Sequence, residues 1–102
     1  MTESQQLLKI HLSELGIETV AEFQFCPDRR FRFDLANEQL MLGFECNGSW
    51  NGLHGPRWSS LDAEKSNLAQ AKGWCVFVFS NKQVLNGEAK AFLEANLNLP
   101  SL

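Results

Sequence analysis

A chain of 102 residues has room for one domain with a modest core, here taken as residues 1–102, and its 44% hydrophobic and 21% charged content is ordinary for a globular fold. A net charge of −3 excludes a strongly basic, non-specific nucleic-acid binder, yet leaves room for acids that hold a metal beside a local basic rim. With no apolar run of membrane-spanning length and no secretory leader, a cytoplasmic protein with no membrane partner is expected.

Residues 3 to 15 predict a helix with Leu8, Leu12 and Leu15 on one stripe, Leu7 at its margin and Gly16 as its stop. His11 is expected on its exposed side. Thr19 to Cys26, rich in Val and Phe, predicts a strand, and Pro27-Asp28 a turn. Two further strands follow, Arg32-Phe33-Asp34-Leu35-Ala36 and Leu42-Gly43-Phe44-Glu45-Cys46-Asn47, joined by a turn at Asn37-Glu38. Gly48 to Ser60 reads as a long loop carrying Trp50, His54, Arg57 and Trp58, and a loop of that length in a small domain is often functional.

A helix is expected from about Leu61, capped by Ser59 or Ser60, to Lys72, where Gly73 ends it. Trp74 to Phe79 is apolar on both faces, as an interior strand should be. Asn81 to about Asn96 predicts one final helix with Leu85, Ala89 and Phe92 on one side and Leu93 close by, weakened by Gly87. The order is α-β-β-β-α-β-α. The first three strands can form a meander, and the strand–helix–strand step after Glu45 a right-handed crossover to a parallel neighbour. The fold class is α/β, a small mixed sheet flanked by helices.

Alternation along a strand puts Phe31, Phe33 and Leu35 on one face and Arg32 and Asp34 on the other. In the next strand Met41, Gly43, Glu45 and Asn47 share a face, opposite Leu40, Leu42, Phe44 and Cys46. An acid inside an apolar strand is costly unless it is paired, hydrated or bound to a cation. Two of them, Asp34 and Glu45, on neighbouring strands suggest a divalent-metal site; the alternative is two solvated strand ends. The cysteines, Cys26, Cys46 and Cys75, are odd in number and lack CxxC spacing, so they read as buried free thiols in a reducing compartment. A zinc site built from them with His54 is the other arrangement.

The succession Glu22, Arg29-Arg30-Phe31-Arg32-Phe33-Asp34, Phe44-Glu45-Cys46-Asn47-Gly48, His54, Asp62-x-Glu64-Lys65 and Gly73-Trp74-Cys75-Val76-Phe77-Val78-Phe79-Ser80-Asn81 resembles the core of the PD-(D/E)XK nuclease superfamily, the restriction-endonuclease-like fold. Within it the likeness is to small very-short-patch-repair-like endonucleases of phages and bacteria, over roughly residues 20 to 85. The resemblance implies an enzyme, a Mg²⁺- or Mn²⁺-dependent endonuclease that hydrolyses DNA phosphodiester bonds. Asp34 and Glu45 would hold the metal, the Cys46 carbonyl would add an oxygen, and Glu22 would bind the ion or orient its hydration.

Asn47 stands where the signature has Lys, and in short relatives this position is often Asp, Glu or Gln. Lys65, on the helix after the loop, is a candidate substitute cation. His54 could act as a general acid–base or contact phosphate, and Asp62 could support either the metal or His54. Arg29, Arg30, Arg32 and Arg57 would form a basic rim for phosphates, with Trp50 and Trp58 stacking on unpaired bases or closing a lid over the core. DNA is the expected partner, with RNA left open. At this length either specificity is low, a homodimer supplies a second half-site, or a partner supplies targeting. The other reading is a catalytically inactive module of the same fold that binds nucleic acid or protein.

Overall fold

Helix α1 (Glu3–Glu14) leads into strands β1 (Val20–Gln24), β2 (Arg32–Asn37) and β3 (Leu42–Cys46). Helix α2 (Ser60–Ala71), strand β4 (Cys75–Phe79) and helices α3 (Asn81–Leu85) and α4 (Glu88–Asn96) complete the chain in a computed structural model that describes residues 1–46 and 60–97. The strands form one open mixed sheet in the order β1-β2-β3-β4, with β3 and β4 parallel and the other pairs antiparallel. The expected meander and parallel pair are both present.

Each face of the sheet has its own core. On one side Leu8 and Leu12 of α1, Ile17, Val84 of α3 and Ala89 and Leu93 of α4 close over Leu35, Leu42, Phe44, Cys46 and Phe79. On the other, Ala69 of α2 and Trp74 meet Phe25, Cys26, Phe33 and Ala36, with Leu68, Met41 and Val76 at the margin. Rings dominate this second core: Phe33 stacks on Phe25 at 4.3 Å and tilts against Trp74 at 5.1 Å between centroids.

Local chemistry sets the helix ends. Thr2 and Gln5 form a capping box at α1, as Ser80 and Gln83 do at α3; neither was anticipated. Helix α1 stops where the amide of Ile17 bonds back to the Leu12 carbonyl at 2.8 Å, across Gly16 with a φ of +86°.

Several expectations need correction. The final helix is two: Gly87 takes a φ of +88°, and the Asn86 side chain caps Glu88, so the chain turns between Leu85 and Glu88. The turn rotates the buried face onto Val84, Ala89 and Leu93 and leaves Leu85 and Phe92 exposed. Strand β4 lies at a sheet edge, with Cys75 and Val78 exposed, rather than in the interior. Cys26 and Cys46 are buried free thiols as expected, but they belong to opposite cores. The three sulfurs therefore do not converge on a zinc site. His11 is half-buried, and its Nδ1 is shielded without a hydrogen-bond partner among the described residues.

Phe33 and Leu35 do not share a face. Leu35 lies in the core beneath α1, whereas the Phe33 ring crosses to the α2 side and covers Gly43, where a Cβ would sit 2.8 Å from it. Asp34 stands at this break in the alternation.

Candidate metal centre

Main-chain pairing brings the acids together. Glu22 falls between the pairs Ala21↔Leu35 and Phe23↔Phe33, which sets it across from Asp34. One residue past the pair Leu35↔Phe44, Asp34 comes beside Glu45, whose other neighbour is Val78 of β4. The three acids thus fall at successive register positions in a row across β1, β2 and β3.

The row is irregular in a way that serves it. Glu22 adopts a left-handed φ of +53°, unusual for a residue other than glycine, and is exposed at the outer end. Asp34 is half-buried, and its Oδ2 accepts the Cys46 amide at 2.7 Å. A carboxylate on a main-chain N–H makes a charge-assisted bond, which fixes one oxygen of Asp34 beside the strand that carries Glu45.

Lys65 enters from above. It precedes Leu68 and Ala69 by three and four residues, so the three share one face of α2. Leu68 and Ala69 pack into the second core, and Lys65 consequently points at the sheet. Its Nζ pairs with Glu45 Oε1 and lies 6.0 Å from the centre of the Phe33 ring. The Lys65 side chain is 27% exposed and that of Glu45 18%. Burial pushes the Glu45 carboxyl above its ordinary value; the Lys65 ammonium pulls it back, while the charges of Asp34 and Glu22 add to the rise.

Beneath the row, Asn81 Oδ1 accepts from Ser4 Oγ at 2.7 Å and from Cys46 Sγ at 3.2 Å, which ties the end of β3 to α1 and α3. Burial raises the Cys46 thiol, opposed by its bond with Ser4.

The basic rim is divided. Arg29 pairs with Glu64 of α2 and stacks over Phe31 at 4.7 Å, so its charge is already engaged. Arg30 and Arg32 are exposed. Asn47, Trp50, His54, Arg57 and Trp58 lie outside the described residues, as does the side chain of Asp62.

No protein-family model, curated protein or solved structure matched the chain.

Among the described residues no three His, Cys, Asp or Glu side chains are grouped so as to hold a metal ion. The donor pair that remains, on neighbouring strands, is the carboxylates of Asp34 and Glu45. It contains only oxygen, which suits a hard divalent cation such as Mg²⁺ or Mn²⁺ that keeps several of its waters.

Proposed function

We propose that the chain is a metal-dependent nuclease acting on DNA, built on a PD-(D/E)XK-like core, with Asp34 and Glu45 holding Mg²⁺ or Mn²⁺. One observation carries this reading. The acids of β2 and β3 stand side by side at a break in the sheet, and a lysine from the next helix reaches into them. A sheet that needed only stability would place apolar residues there. The element order up to β4 is the one that the resemblance in the sequence implies.

Each residue has a role in this reading. Asp34, held by the Cys46 amide through Oδ2, would turn its Oδ1 to a cation. Glu45, paired with Lys65, would be the second carboxylate for the ion. Lys65 supplies the positive charge that the signature places at Asn47, directed at the phosphate or the attacking water. Glu22, at the outer end of the row, orients water. Arg30 and Arg32 contact the backbone of the nucleic acid. The metal would supply Lewis acidity toward the phosphodiester. Three free thiols agree with a reducing, cytoplasmic setting.

A second reading, a nuclease-like module that binds without cutting, is favoured by the Glu45–Lys65 pair itself, because Glu45 is already neutralised by the protein's own cation. Cleavage of single-stranded, duplex and branched DNA with Mg²⁺ or Mn²⁺ separates the two. The first requires cutting by the wild type and its loss in Asp34→Asn and Glu45→Gln. An inert wild type that retains DNA binding supports the second.

A further inference from the structure

Lys65 stands where two roles compete. Its ammonium is paired with Glu45, the group that would also have to bind the metal. Its Nζ lies over the Phe33 ring at 6.0 Å from the centre, and more than a quarter of the side chain remains open to solvent. A lysine on a four-carbon stem can leave such a pair by rotation about its own bonds, with no movement of α2. Two cations drawn to one row of carboxylates repel each other, and the divalent ion has the larger charge.

We propose that Lys65 is a displaceable internal counter-ion: it neutralises Glu45 in the metal-free protein, and a divalent cation exchanges for it, freeing the ammonium for phosphate. This rests on the metal-dependent reading above and adds a regulatory property to it. The site assembles its second cation only after the first has bound. The apparent metal affinity is lowered by the ion pair that must be broken. Metal and phosphate then bind with positive coupling, since the released ammonium is a phosphate ligand.

The test is a Mn²⁺ titration without nucleic acid, read by the electron paramagnetic resonance of free Mn²⁺, on the wild type, Lys65→Met and Lys65→Arg. Met keeps an unbranched apolar chain of similar length and removes the charge; Arg keeps the charge. Lys65→Met is expected to bind Mn²⁺ roughly three- to tenfold more tightly than the wild type, the size of one partly exposed ion pair, with Lys65→Arg close to the wild type. Equal or weaker binding by Lys65→Met, with the wild type binding, overturns the exchange and leaves the metal site standing. Absence of binding in both the wild type and Lys65→Met overturns the exchange and the metal site together.

A second measurement needs no variant. Acetylation of lysines in the wild type, followed by mass spectrometry, is expected to label Lys65 faster once Mg²⁺ is added. An unchanged Lys65 rate, beside bound metal, contradicts the exchange.

Discussion

The two faces of the sheet do different work. The α1 side is a closed core in which Leu8, Leu12, Ile17, Leu35, Phe44, Val84, Ala89 and Leu93 have no exposed surface, and its helices come from both ends of the chain. The α2 side is aromatic and shallower, and at its border stand Asp34, Glu45 and Lys65. Stability is concentrated where the packing is complete. Charge is tolerated where the sheet alternation breaks, because there a carboxylate can take a main-chain amide and a lysine can arrive from above. Buried charge costs the fold something, so substitutions at this border should cost less than those in the closed core, and at Glu45 should change sign.

The largest effect is expected on the closed side. Phe44→Ala removes a ring with no exposed surface that stacks on Phe77 at 5.8 Å, and should cost about 3–5 kcal/mol in urea unfolding. A loss under about 1 kcal/mol would mean that this core is not the main support.

Gly43→Ala probes the crossing of Phe33 to the other face. The new methyl would meet the ring at 2.8–2.9 Å, and overpacking of this kind should cost roughly 1–3 kcal/mol. Phe33→Leu in the same chain should recover part of that loss. A neutral Gly43→Ala would place Phe33 back beside Leu35.

Asp34→Ala should cost about 1–3 kcal/mol, because it leaves the Cys46 amide without its acceptor, whereas Asp34→Asn keeps an acceptor and should cost less. Equal losses would show that the bond to Cys46 is not what holds Asp34.

Glu45→Gln is the smallest expected change and goes the other way. Burial raises the Glu45 carboxyl in the folded chain, so its contribution to stability is full below the unfolded value and is lost as pH rises through the folded one. In metal-free buffer Glu45→Gln should therefore melt above the wild type at pH 7.5, and the two should converge in acid below the unfolded carboxylate range. A lower melting point at pH 7.5 would mean that the Lys65 pair outweighs burial.

Much of this architecture was legible in the sequence. The Leu8–Leu12 stripe, the three-strand meander and the Lys72-Gly73 stop each follow from spacing or from a residue with one strong preference. The neighbourhood of Asp34 and Glu45 followed from two acids in adjacent apolar strands. The position of Lys65 was readable as well, since it shares the helical face of Leu68 and Ala69. Strict alternation misplaced Phe33, because it takes no account of the left-handed turn at Glu22 or the Asp34 bond to Cys46. The split at Gly87 was signalled by Asn86-Gly87, a turn dipeptide, and was passed over for the longer helical pattern. The edge position of β4 is not written in its residues, because hydrophobicity tells how apolar a strand is and not which neighbours it has.

The most direct test of the proposed metal site is a crystal structure grown with Mn²⁺ and measured near the manganese absorption edge. The account predicts one anomalous peak between the carboxylates of Asp34 and Glu45, in contact with the Cys46 carbonyl oxygen and with the Lys65 ammonium moved away from Glu45. A map with no peak there, or with Lys65 still paired to Glu45 and the manganese bound elsewhere, would contradict it.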